Sequence, residues 1–135
     1  MNENDRNAED RPRRHPEERF APPAQAFDLE QAAREIAQEP TATTQRHRQK
    51  TLYRHVNTSL ALFLFDAGAG LHEHRTSGTV FIQVLSGRLT VHAQGDRHDL
   101  CAGQMLVMSP GVPHDVHAEE ATRMLLTVCL EPNAS

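Results

Sequence analysis

Tryptophan is absent from this sequence, and aromatic residues of all kinds make up only 4% of its 135 residues. Proteins that bind nucleic acid by stacking on bases need more aromatic side chains than this. The formal net charge is −4, and basic and acidic residues are interspersed, so the chain has no basic patch suited to a phosphate backbone. We therefore expect no nucleic-acid partner.

Long apolar runs and cysteine-rich patterns are missing as well. No run approaches the roughly 18 apolar residues of a membrane span, and the N-terminus lacks the apolar segment of a signal peptide. The two isolated cysteines, Cys101 and Cys129, do not make a disulfide framework. Both lie in apolar, strand-like surroundings, which favours buried free thiols in a reducing compartment. We expect a cytoplasmic protein without a membrane partner.

The apolar residues that are present lie mostly in the second half of the chain, and three regions follow from this. Residues 1–26 are mainly charged, polar, Pro or Ala, and such a composition predicts a disordered tail. Residues 27–50 are predicted to form a helix and a polar linker. Residues 51–131 contain enough apolar side chains for the core of one domain.

Residues 27–39 have the pattern of one amphipathic helix. Asp28 can cap its N-terminus, with Gln31 as the capping-box partner. One apolar stripe is formed by Leu29, Ala32, Ala33 and Ile36. We expect this helix to cover an edge or the mouth of the following domain, and a mobile lid is the alternative.

From residue 51 onward, short apolar and β-branched runs alternate with turns rich in glycine. Nine segments fit strands, at 51–56, 59–65, 71–75, 79–85, 88–93, 97–100, 105–108, 114–118 and 123–130. No helical pattern separates them, and this is typical of an antiparallel sandwich or barrel. By alternation, five apolar residues are predicted to face the interior, namely Val80, Ile82, Val84, Met105 and Val107.

Three histidines in these segments are candidate metal ligands. His72 and His74 are two residues apart on one predicted strand, so their side chains should share a face. His114 follows 40 residues later, and imidazole is the commonest metal ligand in proteins. Asp115 and His117 should face away from His114 by the same alternation.

These motifs resemble those of the cupins, which are small double-stranded β-helix (jelly-roll) barrels. The first cupin motif contains an HxH pair and ends in a glycine, which here are His72, His74 and Gly87. The second runs from Gly103 through the sequence SPGVP to His114. The resemblance covers about residues 52–130. It implies an all-β, cupin-like jelly-roll barrel and a homodimer.

The chain departs from the cupin pattern at an important position. Val80 stands where the first motif has a glutamate ligand. Gln83 is the nearest polar side chain on that strand, but it alternates away from Val80 and could join the site only if a bulge re-aims it. The resemblance thus implies a divalent transition metal (Fe, Ni, Mn, Cu or Zn) held by His72, His74, His114 and, given such a bulge, Gln83.

Two classes of function remain open. The resemblance to three-histidine dioxygenases of the cupin family implies a metal-dependent, dioxygenase-like enzyme that acts on a small organic molecule. A zinc ion in such a site would instead acidify a bound water. The alternative is a non-catalytic cupin module that binds or senses a small ligand without a metal. A purely structural dimerising barrel is a third possibility.

Overall fold

The computed structural model describes residues 22–39 and 46–132 of the chain. This part contains one helix, α1 (Leu29–Ala37), and nine strands. The strands are β1 (His47–His55), β2 (Thr58–Phe65), β3 (Gly70–His74), β4 (Gly78–Ser86), β5 (Arg88–Ala93), β6 (Asp96–Cys101), β7 (Met105–Met108), β8 (His114–Ala118) and β9 (Thr122–Leu130). Each predicted strand segment overlaps one of them, and β1 begins earlier than predicted, at His47.

The strands form two antiparallel sheets. One sheet has five strands in the order β1-β2-β9-β4-β7, and the other has four in the order β3-β8-β5-β6. The chain crosses repeatedly between the two sheets, and strands distant in sequence become neighbours, as in a jelly roll. The predicted all-β, cupin-like class with a short N-terminal helix is confirmed. Of the predicted disordered tail, residues 1–21 lie outside the described residues, and the division of the chain into three regions stays a prediction.

The main hydrophobic core lies between the two sheets and takes side chains from both. Val80, Ile82 and Val84 of β4 belong to it, as predicted, and each is at most 3% exposed. The core also includes Leu89 and Val91 of β5. Burial of these side chains away from water is the main force that holds the sheets together.

The prediction that Met105 and Val107 face the interior was wrong. They are 54% and 51% exposed, whereas Met108 is buried in the main core and Leu106 packs against it. The pairing of β7 with β4 explains this, because Met108 lies directly opposite the buried Val80 and directly paired residues share a face. All four residues of β7 are apolar, so the sequence does not show which of them face the core. The pairing register with β4 decides this.

Helix α1 begins as predicted. The side chain of Asp28 accepts a hydrogen bond from the backbone N–H of Gln31 at 3.0 Å. The Gln31 side chain donates to Glu35 at 3.0 Å and not back to the Asp28 backbone, so the predicted cap forms without the second hydrogen bond of the capping box. Ala33 and Ile36 are 1% and 0% exposed, so the apolar stripe is the packed face.

No helix in the described part of the chain is long and apolar enough to cross a membrane.

The helix packs on the outer face of the five-stranded sheet, over the edge strand β1 and its neighbour β2, and not at a mouth of the barrel. Ala33 and Ile36 pack with Leu62 in a second core. Leu62 alternates along β2 with Phe63, which faces the main core. The sheet is therefore buried on both faces where α1 lies, and this is why β2 reads as a continuous apolar run.

Polar contacts attach both ends of the helix. The Arg48 guanidinium on β1 donates to the carbonyl oxygens of Ile36 and Ala37 at 3.1 and 2.7 Å, satisfying carbonyls at the helix C-terminus. Arg123 on β9 donates to Glu30 in the first turn at 2.7 Å. These contacts are those of a docked structural element, and they do not favour the mobile lid.

The cysteines differ from expectation in their exposure. Both are free thiols, as predicted, but Cys101 is exposed and Cys129 is only partly buried. Cys101 ends β6 and is paired with the exposed Arg88. The expectation of a buried thiol was therefore wrong for Cys101.

Candidate functional site

Two of the three predicted ligands meet at one end of the four-stranded sheet. His74, the last residue of β3, is paired with His114, the first residue of β8. Their ring centroids are 4.3 Å apart, with an angle of 60° between the ring planes. His114 is 3% exposed, whereas His74 is exposed, so the pair extends from the barrel interior towards solvent.

A backbone carbonyl orients each ring of this histidine pair. His74 Nδ1 lies 2.8 Å from the carbonyl oxygen of His72, and His114 Nδ1 lies 3.1 Å from that of Val112. A carbonyl oxygen can only accept a hydrogen bond, so we assign the proton of each neutral ring to Nδ1. Each Nε2 is then an unprotonated acceptor, available to a hydrogen-bond donor or a metal ion.

The surroundings of His114 favour its neutral form. Burial lowers the pKa of His114 below its ordinary value, and the neighbouring His74 lowers it further. The hydrogen bond to Val112 and the nearby Asp115 carboxylate act in the opposite direction but do not outweigh the burial. The lowered pKa of His114 favours the neutral imidazole, which can accept a hydrogen bond.

His72 does not join the pair, because β3 contains a bulge. Gly70 pairs with His117 and Leu71 with Val116, but the next pair joins His74 with His114. His72 and Glu73 thus stand opposite one residue, Asp115. An extra residue in a strand inverts the alternation that follows it. The expectation that the two histidines of the HxH pair share a face was therefore wrong.

His72 instead faces an open cleft of about 670 Å³ on the outside of the four-stranded sheet. We call this the outer cleft. Its polar lining consists of Arg46, His72, Glu73, His92, Asp115 and His117. Nowhere in residues 22–39 and 46–132 do three His, Cys, Asp or Glu side chains form a group that could hold a metal ion.

Gln83 does not face the histidine pair. It lies on β4 between the buried Ile82 and Val84, so it points to the opposite face of the sheet. It is paired with Leu125, which packs against the second core below the helix. The register from Val80 to Gln83 is regular, so no bulge re-aims this side chain. A fourth ligand from Gln83 does not fit the structure.

Arg46 and the histidine-rich outer cleft were missed in the sequence. Arg46 lies before the first predicted strand, and its place beside the turn between β2 and β3 depends on long-range contacts. The glycine-rich sequence of residues 66–70 is typical of a turn, but nothing in this pattern indicates which side chain lies against the turn. Asp115 faces away from His114, as expected, and its carboxylate lies 2.9 Å from His92 Nδ1.

Comparison with known proteins identifies the family. The sequence profile of the cupin domain family matches residues 61–130, which is more than half of the chain. The chain belongs to the cupin family. No curated protein matches this cupin significantly.

Solved structures share its architecture. A conserved protein of unknown function from Streptococcus pyogenes is 27% identical, with a TM-score of 0.66 over 81% of this cupin and 90% of that chain. A cupin superfamily protein from Desulfitobacterium hafniense is 18% identical, with a TM-score of 0.63 over 67% and 84% of the two chains. Salicylate 1,2-dioxygenase from Pseudoaminobacter salicylatoxidans, solved with gentisate, is 19% identical, with a TM-score of 0.61 over 75% of this cupin and 30% of the dioxygenase. The last two likenesses concern the fold alone.

Proposed function

We propose that this cupin binds a small organic molecule at the end of the barrel where His74 and His114 meet. The observation that carries the proposal is the pair of Nδ1 contacts to backbone carbonyls. These contacts leave two adjacent Nε2 atoms as hydrogen-bond acceptors. A ligand with a hydroxyl, amide or carboxylic acid proton suits them, because each of these groups can donate a hydrogen bond to an unprotonated imidazole nitrogen.

A divalent metal ion is the second candidate for the same two Nε2 atoms. It is favoured by the orientation of the rings, because metal-binding histidines commonly donate their other N–H to a carbonyl or carboxylate. Imidazole nitrogen suits Fe, Ni, Mn, Cu and Zn. The three-histidine centre does not fit, since His72 faces the outer cleft, and we derive no reaction through a metal. The proposal of a dioxygenase-like activity is supported by the fold that this cupin shares with salicylate 1,2-dioxygenase.

Metal analysis of the untagged protein separates the two candidates. Under metal-replete conditions, we expect less than one equivalent of bound transition metal if the pair serves an organic ligand. If a metal is bound by the pair, the His74→Ala and His114→Ala variants lose it, whereas His72→Ala keeps it. If His72→Ala loses stoichiometric metal, the result would instead support a three-histidine centre and contradict the register of β3.

Imidazole NMR tests the ligand proposal itself. In protein with ¹⁵N-labelled histidine, the Nε2 signals of His74 and His114 should be those of unprotonated nitrogen. Phenol and acetamide, as minimal donors, should shift these two signals, and His114→Ala should abolish the response. His117→Ala is the matched control, since His117 lies on β8 but on its opposite face. Protonated Nε2 atoms, or an unchanged response in His114→Ala, would rule out the proposal.

We further propose that the protein is a cytoplasmic homodimer. The five-stranded sheet has β1 and β7 at its edges, and β7 exposes Met105 and Val107; exposed edges are commonly covered by a partner. The two free cysteines suit a reducing compartment. Light scattering should give twice the chain mass, and the Met105→Lys/Val107→Lys variant should be monomeric. Cell fractionation tests the location.

A further inference from the structure

The outer cleft has opposite charges at its two ends. It follows β8 along the outside of the four-stranded sheet, on the face opposite to the buried His114. Arg46 contributes a guanidinium, whereas Glu73 and Asp115 contribute two carboxylates. The cleft was not anticipated from the sequence, and the proposed function of the histidine pair does not use it.

The cationic end is built around Arg46. Its Nη1 donates to the carbonyl oxygen of Ala67 at 3.1 Å, and a side chain on Gly68 would come within 2.9 Å of Nη2. The Arg46 backbone is left-handed, with φ at 61°, and such a conformation is uncommon for residues other than glycine. The hydrogen bond to Ala67 and the missing side chain at Gly68 together place the guanidinium against the turn between β2 and β3.

The acidic end is produced by the bulge in β3. His72 and Glu73 together oppose Asp115 across the strand pair. Asp115 is in turn paired with His92 on β5, and His92 Nδ1 lies 2.9 Å from the Asp115 carboxylate. One carboxylate has room for several donors, so Asp115 can hold His92 and still accept from a ligand.

The separation of the two ends follows from strand geometry. Gly68, against which the Arg46 guanidinium lies, donates its N–H to the carbonyl of Ala118 at 2.8 Å. Ala118 is three residues from Asp115 on β8, which corresponds to roughly 10 Å along the strand. A salt-bridge contact at each end would leave space for several bonds between the charged groups of a ligand.

We propose that the outer cleft binds a small zwitterion, with its carboxylate at Arg46 and its ammonium group at Asp115 and Glu73. The two carboxylates would repel a purely anionic ligand, and the guanidinium would repel a purely cationic ligand. His117, between the two ends, can donate a hydrogen bond to the ligand, and Glu119 lies 4.0 Å from its Nε2. An ω-amino acid, with several bonds between its charges, has the required chemistry.

The test is an NMR titration of the full-length protein with three matched probes, 4-aminobutanoate, butanoate and butylammonium. Hydrogen bonds to charged groups are strong enough to change affinity by about tenfold each. We therefore expect 4-aminobutanoate to bind about tenfold more tightly than either singly charged probe, with shifts centred on His72, His92 and His117. Absence of saturable binding, or equal binding of butanoate and 4-aminobutanoate, would overturn the proposal.

Single substitutions test which residues bind each charged group of the ligand. Arg46→Gln should weaken 4-aminobutanoate and butanoate by about tenfold, and Arg46→Lys, which keeps the charge, should recover part of this loss. Asp115→Asn should remove the preference for 4-aminobutanoate over butanoate. The control is Arg97→Gln, an exposed arginine on the same sheet that is paired with Asp99. Equal weakening by Arg97→Gln and Arg46→Gln would refute a site at Arg46, and melting curves identify any variant that fails to fold. Since His74 and His114 face the other side, His114→Ala should bind the zwitterion normally.

Discussion

Replacement of Ile36 by alanine tests whether helix α1 is an integral part of the fold. Ile36 is 0% exposed and packs in the second core with Ala33 and Leu62. Truncation of a fully buried isoleucine costs about 2–5 kcal/mol, because transfer free energy is lost and a cavity remains. With an unfolding entropy of about 2.1 cal/mol/K per residue, a loss of about 3 kcal/mol lowers the melting temperature of a domain of about 105 residues by about 14 °C.

The helix itself limits how large this loss can be. An isolated helix of nine residues is not stable in water, so α1 depends on its packing against the sheet. If the cost of the cavity exceeds the docking free energy, α1 detaches while the barrel stays folded. Urea unfolding followed by circular dichroism distinguishes the two outcomes, because a detached helix reduces the m-value, whereas a cavity leaves it unchanged.

The control for Ile36→Ala is Glu39→Ala, since Glu39 follows the helix and is exposed, so its truncation should change stability by about 0.5 kcal/mol or less. Amide exchange of residues 29–37 should accelerate in Ile36→Ala and stay slow in the control. Equal stability and equal exchange in the two variants would refute the packing of α1 on the five-stranded sheet.

Three further predictions concern the barrel. Val56→Asn should stabilise the protein by about 1 kcal/mol in thermal unfolding. Val56 is 69% exposed with φ at 53°, and a β-branched residue is strained in this conformation. An unchanged melting temperature would contradict the strain. Gly78→Ala should destabilise by about 1–3 kcal/mol or more, because the new side chain would lie 2.4 Å from the Cys129 carbonyl oxygen; a neutral melting curve would contradict this approach of β4 and β9. Burial and His74 lower the pKa of His114, so the unfolded chain takes up a proton near pH 6.5 that the folded chain does not. Stability should therefore fall as the pH decreases below about 6.5, and His114→Gln should show a smaller fall; parallel profiles would contradict a neutral His114.

Local patterns were sufficient to predict most of the fold. Asp28 and the apolar stripe of α1 are recognisable because capping and helical periodicity involve residues only three or four positions apart. Strands such as β4 were found because the apolar and β-branched run is bounded by glycine-containing turns. Gly87 and Gly103, which belong to the family motifs, adopt positive φ angles of 90° and 88°, so their spacing reflects turns that glycine favours.

The candidate site was predictable only in part. The motif around His114 correctly placed it at the start of a strand, and its pairing with His74 brings the two rings together. The inward position of His72 was inferred from strict alternation, and one bulged residue invalidates that inference. Nothing in the local sequence of β3 indicates the bulge, because it is defined by the residues of β8 that lie opposite.

The sequence by itself determined the elements of this cupin, because helix caps, glycine turns and apolar runs act through neighbouring residues. It also determined that histidines occur where β3 and β8 are formed. Only the tertiary structure decided which side chains meet. The register of β8 directs His74 to His114 and His72 to the outer cleft, and long-range packing places Arg46 beside that cleft. Strand register is a property of two segments at once, so neither segment alone contains it.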